Sequence, residues 1–306
     1  MTRIFDESRK FLKKMGLPDG DAFDLPTSTK TFPDGSHFEM EFPGFQGLVG
    51  LKAGLKACEE LGIVENRLDE TLGIMRHTKE EIKEYVRIAK DIGAELIMSV
   101  GPRASYDIGA SVRTQQGVRM GYRLRGMEQV LGAMEDIKRA VDLGVRGILM
   151  YDEGLLTIIN EMKKEGKMPK NLHLKWSGHN GLANPASAKL IESLGANSIN
   201  PVRDLTLPMV AAIRQAVDVV IDLHTDNPDG SGGFIRNYEA PEMVRIVSPM
   251  SVKCGNSALH AHGGPVSADE AVNMMRQQCI VLELIKKYYP EAKQVPQGAK
   301  YLAIPE

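Results

Sequence analysis

The sequence is poor in cysteine and tryptophan, with three cysteines and one tryptophan among 306 residues. Cys58, Cys254 and Cys279 are far apart and odd in number, so they do not form the disulfide framework of a small secreted protein. No secretory apolar segment is found near Met1. Together these features predict a reducing, cytoplasmic location.

Long apolar runs and a strong net charge are also absent. No stretch approaches the roughly 20 apolar residues that span a bilayer, so we expect no membrane contact. The formal net charge of -2 gives no general attraction to nucleic acid. No Gly-x-Gly-x-x-Gly motif follows an early strand, which argues against a dinucleotide-binding domain. The expected partner is therefore a small-molecule substrate.

Short apolar strand patterns alternate with helical patterns along most of the chain. The clearest strand, 219–226, is a β-branched run that ends in acid and imidazole groups and opens into a Gly- and Pro-rich loop. Eight strands are predicted, at residues 38–42, 68–75, 95–100, 147–151, 173–176, 197–200, 219–226 and 249–254. The sequence thus predicts an α/β fold, a (β/α)8 TIM barrel, with an open doubly wound sheet as the alternative.

Three parts are predicted along the chain: an N-terminal arm (1–36), the barrel (37–290) and a C-terminal tail (291–306). In the arm, a short basic helix ends near Lys14, and proline and glycine then prevent a long regular element. We expect the arm to pack on the bottom of the barrel or on a neighbouring subunit, with a mobile tail as the alternative. Packing on a neighbour would make the protein a homo-oligomer.

The carboxyl ends of barrel strands open on one mouth, where catalytic groups from several strands meet. Strict alternation in the first strand places Glu39 and Glu41 inside the barrel. The other strands are expected to bring to the mouth Arg76, His77, Asp152, Glu153, Lys175, His179, Asn200, Arg203, Asp222, His224, Lys253 and Asn256. Because single buried charges are costly, these groups must pair, bind metal or meet ligand and solvent.

Lys175 and Lys253 each allow two interpretations. A desolvated lysine can form an imine with a carbonyl substrate or act as a base. Alternatively, each lysine forms an ion pair across the barrel, for Lys175 with Glu39 or Glu41. His179, at the end of its strand, is a further acid/base candidate.

Asp222 and His224 have the same parity on the seventh strand and could bind a divalent metal together with Asp152. The alternative is a His–Asp pair that only satisfies the barrel interior. His260 and His262, which follow the eighth strand, form a second candidate metal pair or are ordinary loop residues. No other cofactor is indicated.

The segment 101–126 has no clear period and carries five arginines against a single acid, Asp107. These arginines are Arg103, Arg113, Arg119, Arg123 and Arg125. Guanidinium groups match carboxylates and phosphates, so the segment is a candidate anion or subunit contact, with solvated charges as the alternative. Gly232 and Gly233 lie in the loop after the seventh strand, a candidate phosphate site or a flexible lid.

Two motifs carry a resemblance to a known family: KWSGHNG, residues 175–181, and DLHTDNP, residues 222–228. The region 172–264 around them resembles bacterial barrel proteins that are named after the collagenase-like peptidase family. The resemblance implies an aldolase-type barrel and, nominally, a hydrolase. The cysteine-rich signature of that family is absent here, so no catalytic residue is carried over.

The first functional hypothesis is a TIM-barrel enzyme that abstracts a proton next to a carbonyl in a small, polar, anionic metabolite, as lyases and isomerases do. Lys175 or His179 would be the base, with Asp222 and His224 as acid/base groups or metal ligands. Arg103 or Arg76 would anchor the anion. The alternatives are a metal-dependent hydrolase and a non-catalytic barrel that binds a small molecule.

Overall fold

The computed structural model describes residues 5–21, 25–260 and 263–306, without the side chain of Arg119. Eight parallel strands close into a barrel in the order of the sequence, which confirms the predicted (β/α)8 fold. The strands are β1 (Phe38–Phe42), β2 (Arg67–Glu70), β3 (Glu95–Ser99), β4 (Gly147–Met150), β5 (His173–Trp176), β6 (Ser198–Ile199), β7 (Val220–His224) and β8 (Met250–Lys253). Pairing of Glu41 with Lys253 in β8 closes the ring.

A helix follows each strand, and a further helix precedes the barrel. The helices are α1 (Asp6–Lys14), α2 (Leu48–Leu61), α3 (Lys79–Asp91), α4 (Gly126–Asp142), α5 (Glu153–Lys164), α6 (Pro185–Ser193), α7 (Leu207–Ala216), α8 (Ala240–Val247) and α9 (Ala268–Tyr288). Thr78 and Ser267 begin α3 and α9 with capping boxes. Among the described residues, no helix has both the length and the apolar composition needed to cross a bilayer.

Successive side chains of a strand face alternately the strand–helix core and the barrel interior. In β1, Phe38, Met40 and Phe42 belong to the main hydrophobic core between strands and helices, whereas Glu39 and Glu41 are buried in the barrel interior. Helix α2 packs closely on β1, because a Cβ atom at Gly54 would lie 2.4 Å from the ring of Phe42. The strand–helix core thus fixes which side chains face inward.

Strand β2 is shorter than predicted and begins one residue earlier. It ends at Glu70 because the Glu70 carboxylate accepts hydrogen bonds from the backbone N–H groups of Leu72 (2.7 Å) and Gly73 (3.1 Å), which turns the chain. Residues Ile74–Arg76 then form a 3-10 turn rather than strand. The prediction of a strand over 68–75 was wrong in this respect.

The bottom of the barrel is covered by both ends of the described chain. Phe32 packs with Val295 and Leu302. In the tail, the Ala303 N–H donates to Glu95 Oε1 at 2.8 Å. Lys30 Nζ donates to the carbonyl of Val217, just before β7. Polar groups can therefore reach solvent or a ligand more readily at the opposite end, the mouth.

Candidate active site

The interior of the barrel is charged, unlike the branched apolar filling that is common in this fold. Its buried cations are Arg67, Lys175 and Lys253, and its buried carboxylates are Glu39, Glu41, Asp69, Glu95 and Asp222. Ion pairs link these groups into one network. The pairing offsets the large desolvation cost that each of these ions would carry if it were buried alone.

Arg67 is the centre of the lower part of this network. Its guanidinium lies 2.6 Å from Glu95, 2.8 Å from Asp222 and 2.9 Å from Glu39. Burial raises the pKa of Glu39 to about 8 even beside Arg67. Glu39 is therefore mostly protonated at neutral pH, which reduces the excess of negative charge around Arg67.

Lys175 is fully buried and is held by carboxylates. Its Nζ donates to both oxygens of Glu41 at 2.7 Å and to Asp69 Oδ2 at 3.1 Å. Burial by itself would lower the pKa of Lys175, but the surrounding carboxylates, Asp222 foremost, raise it above its ordinary value. The geometry supports the ion-pair interpretation with Glu41, since a buried ammonium offers neither a base nor a nucleophile.

Asp69 and Lys253 lie where this network reaches the mouth. Lys253 Nζ donates to Asp69 Oδ2 at 2.7 Å and also contacts Glu41. Burial raises the pKa of Asp69 to about 6, and the neighbouring Glu41 carboxylate adds to this, against the opposing effect of the two lysines. Asp69 Oδ1 accepts no hydrogen bond from any residue that the structure describes. Near neutral pH, Asp69 can therefore both accept and release a proton.

A pocket, here called the mouth pocket, opens above Asp69 and Lys253. Its volume, including its open entrance, is about 430 Å³. Residues from the ends of seven strands or their loops line it: Pro43, Gly44, Gln46, Asp69, Thr71, Leu149, Tyr151, Ser177, His179, Asn200, Arg203, His224, Lys253, Asn256 and Leu259. Six of the predicted mouth residues line it, namely His179, Asn200, Arg203, His224, Lys253 and Asn256. The predicted mouth residues that do not line it are Arg76, His77, Asp152, Glu153, Lys175 and Asp222.

His224 lines the mouth pocket as a neutral ring between two amides. Asn256 Nδ2 lies 3.0 Å from His224 Nδ1, and the Asn200 amide lies 3.4 Å from His224 Nε2. Burial, and after it the charge of Arg203, lowers the pKa of His224 well below its ordinary value. A neutral imidazole has one N–H, so one amide donates to the ring and the other accepts from it.

No His–Asp pair forms on β7. Asp222 binds Arg67 inside the barrel, and Asp226 accepts from the backbone N–H groups of Gly255 and Ser257, both at 2.8 Å. The predicted pairing of His224 with an aspartate is therefore wrong, because Asp226 lies beyond the end of the strand and organises the loop after β8.

Arg203 differs from the other cations at the mouth. It is partly buried, and among the described residues no carboxylate lies within ion-pair distance of it and its Nε has no hydrogen-bond partner. One of its terminal nitrogens is 3.3 Å from His179 Nε2. The His179 ring stacks on Tyr122, with centroids 4.3 Å apart, which fixes its position. A guanidinium that is desolvated but unpaired favours an anionic ligand.

Arg103, one of the two predicted anion anchors, binds backbone carbonyls and tyrosine rings. Arg103 is buried and donates to the carbonyls of Val100 (2.8 Å) and Gly101, with its guanidinium over three tyrosine rings. It holds the segment 101–126, whose short turns are Ala104–Tyr106, Ala110–Arg113 and Gly117–Met120. The side chain of Arg119 lies outside the description.

Arg76 and His77 are displaced from the mouth because β2 ends at Glu70. Arg76 is exposed and lies 3.4 Å from the Tyr106 hydroxyl. His77 Nε2 is 3.1 Å from Glu70 Oε1, behind the barrel wall. Neither residue lines the mouth pocket, so the prediction that they bind substrate there was wrong.

The predicted metal ligands are not assembled. Within residues 5–21, 25–260 and 263–306, no three His, Cys, Asp or Glu side chains form a group that could hold a metal ion. Asp152 instead caps α5 by accepting from the Leu155 N–H at 3.1 Å. Of the second predicted pair, His260 is exposed and His262 lies outside the described residues.

The glycine loop after β7 does not present its backbone to an anion. The N–H of Gly232 donates to the Asp229 carbonyl and that of Gly233 to the Pro228 carbonyl, at 3.2 and 3.1 Å. A phosphate site needs such groups free, so the predicted phosphate role of this loop is not supported.

Sequence reasoning missed Arg67 and Asp69. Both belong to a run, Arg67-Leu68-Asp69-Glu70, whose alternation matches that of Glu39 and Glu41 in β1. The predicted strand begins at Leu68 and extends to residue 75, so it excludes Arg67 and places the candidate mouth residues after its end, at Arg76 and His77. Applying the alternation rule of β1 to β2 would have found both residues.

Comparison with known families gives one match. The model of peptidase family U32 matches residues 124–225, roughly a third of the chain, which run from α4 to β7. This confirms the resemblance expected from the sequence for the part that overlaps residues 172–225. No curated protein matches the chain.

Solved structures with similar folds include three barrel proteins. The U32 peptidase Mk0906 is 17% identical over 67% of this chain and 74% of its own, with a TM-score of 0.41. A truncated 3-deoxy-D-arabino-heptulosonate 7-phosphate synthase from Thermotoga maritima is 11% identical over 90% and 97%, with a TM-score of 0.49. A protein described as native KDPGal is 11% identical over 85% and 98%, with a TM-score of 0.48.

Proposed function

We propose that the protein is a lyase- or isomerase-type enzyme that removes a proton next to the carbonyl of a small 2-oxo carboxylate. The observation that carries this proposal is the carboxyl of Asp69, with a pKa of about 6, in the mouth pocket beside Lys253. A base with a pKa near the working pH is the group that such chemistry requires.

Each part of the substrate has a matching group in the mouth pocket. The carboxylate pairs with the guanidinium of Arg203, which has no acidic partner among the described residues. The carbonyl oxygen accepts a hydrogen bond from Lys253. The amides of Asn200 and Asn256 and the ring of His224 form the neutral wall between these two cations.

The chemical step is then a single proton transfer. Asp69 takes the proton from the carbon next to the carbonyl, and the electron pair of that C–H bond forms the double bond of an enolate. The negative charge develops on the carbonyl oxygen, where the Lys253 ammonium stabilises it. Lys175 does not touch the substrate in this scheme; it fixes Glu41 and Asp69 as a positioning residue.

The test is exchange of the methyl protons of pyruvate for deuterium, followed by proton NMR with a protein-free control. We expect the wild-type protein to accelerate exchange and Asp69→Asn to lose at least about 100-fold of that acceleration. Pyruvate binding without faster exchange would instead identify a non-catalytic binding barrel. If pyruvate does not bind and its methyl protons do not exchange faster than in the control, the proposal is refuted.

A hydrolase is the second candidate, and the match to peptidase family U32 over residues 124–225 favours it. The described part of the chain lacks a three-residue group of metal-binding side chains, so metal-activated water is not supported there. Cleavage of a fluorogenic gelatin substrate, retained in Asp69→Asn, would favour this candidate over proton abstraction.

A further inference from the structure

A second cavity, here called the side compartment, adjoins the mouth pocket. Its volume, with its opening, is about 580 Å³, and its lining consists of Gly178, His179, Val202, Arg203, Asp204, Ser231, Gly232 and Phe234. His179 and Arg203 line both cavities. A carboxylate held by Arg203 therefore borders both, and different parts of the same molecule can lie in the two cavities.

The walls of the side compartment suit an uncharged group. Val202 and Phe234 supply apolar surface, whereas Gly178 and Gly232 add no side chain. Apart from Arg203 and His179, its described lining has no basic residue, and Asp204 is exposed and disfavours a second acidic group.

The wall formed by Phe234 is anchored on both sides of the residue. The Asn227 N–H donates to the Phe234 carbonyl at 2.9 Å, and the Arg236 N–H donates to the Thr225 carbonyl at 2.7 Å. Asp226 and Ile235 also form a β-bridge. Because the loop is closed at its base by these bonds, Phe234 is held in place before any ligand binds, which limits the entropy lost on binding.

Resting on the proposed function, we infer that the side compartment binds an apolar, aromatic substituent of the 2-oxo acid. The preferred substrate class is thus a 2-oxo carboxylate whose carbon chain ends in an aryl group. Its carboxylate lies at Arg203, its carbonyl faces Lys253 in the mouth pocket, and its ring lies against Phe234 and Val202.

The test compares pyruvate with 2-oxo-4-phenylbutanoate, by calorimetric affinity and by deuterium exchange next to the carbonyl. We expect the aryl compound to bind about tenfold more tightly to the wild-type protein, because its ring leaves water. Ser231→Phe fills the side compartment and should reduce this preference to about twofold or less. Ser193→Phe is the matched control, since Ser193 is exposed at the far end of α6 and should keep the preference.

The outcomes separate the two proposals. A preference lost in Ser231→Phe and kept in Ser193→Phe supports the side compartment. Pyruvate exchange without preference for the aryl compound, or a preference that survives Ser231→Phe, overturns the inference and leaves the proposed function standing. If neither compound binds or exchanges, the proposed function fails and the inference fails with it. Circular dichroism of each variant verifies folding.

Discussion

Lys253 donates a 2.7 Å hydrogen bond to Asp69 at the point where the charged barrel interior meets the mouth pocket. The pair joins two regions with different tasks. Below it, the ion pairs of Arg67 and Lys175 hold buried carboxylates in place. Above it lies a cavity with the guanidinium of Arg203, which has no acidic partner among the described residues, and the proposed proton transfer takes place at this pair.

Arg203 should contribute to substrate affinity rather than to the proton transfer itself. We predict that Arg203→Gln weakens pyruvate binding by about 10- to 100-fold, since a charge-assisted hydrogen bond contributes roughly 1.5–3 kcal/mol. The maximal exchange rate should change much less. Arg113→Gln removes an exposed arginine from the segment 101–126 and is the control; weaker binding in that variant would restore the segment as the anion clamp.

Lys175 should matter for stability and not as a nucleophile. Replacing it by methionine removes one buried cation from Glu41, Asp69 and Asp222 and leaves Lys253 and Arg67 as their only counter-ions among the described residues. We therefore predict a loss of about 3–5 kcal/mol in the free energy of unfolding. Urea denaturation measures this loss. Lys189→Met, at an exposed lysine on α6, should cost far less.

Trapping with borohydride in the presence of pyruvate examines the imine alternative for both lysines. We expect no adduct at Lys175, which is fully buried, and none at Lys253, which is paired with Asp69 and Glu41. Peptide mapping by mass spectrometry locates any adduct. A pyruvyl adduct at Lys253 would replace the proposed enolate by an imine mechanism.

Glu65 provides a pH test of stability outside the site. It is fully buried, and burial raises its pKa to about 8. The folded protein therefore holds a proton that the unfolded chain releases, so stability falls as pH rises from about 4.5 to 8. We predict that Glu65→Gln reduces the loss of unfolding free energy between pH 6 and 8.5 by about 1–3 kcal/mol. Equal losses in the wild type and the variant would contradict this.

The control for this experiment is Glu60→Gln, on the exposed face of α2. Glu60 is exposed, so the variant removes a carboxyl group without changing a buried charge and controls for the Glu→Gln substitution itself. Other buried carboxylates add to the slope in all three proteins, and the comparison removes their contribution.

The sequence was sufficient for the barrel because strand alternation and helix signals are local. Phe38–Phe42, the Thr78 capping box and the glycine after α2 are each visible within a few residues. For Lys175 the sequence left two interpretations open, an ion pair with Glu39 or Glu41 and an imine-forming or basic lysine, and the contacts with Glu41 in the structure favour the ion pair. The residues that reach the mouth depend on where each strand ends, and the sequence pattern placed the end of β2 at the wrong residue.

The site itself needed three-dimensional information. Whether an arginine is paired depends on side chains distant in sequence: Arg103 turns to carbonyls and tyrosine rings, whereas Arg203 has no acidic partner among the described residues. The proton affinity of Asp69 likewise follows from burial and from Glu41 and two lysines on other strands. No spacing of residues along the chain encodes these differences.

The pH dependence of pyruvate deuterium exchange tests the central claim most directly. With Asp69 as the base, the rate should rise about tenfold per pH unit below 6 and level off above it, because the carboxylate becomes the dominant form there. Asp69→Asn should remove this rise together with the enzymatic rate. A wild-type rate that does not change between pH 5 and 7, or a full rate in Asp69→Asn, would contradict the account.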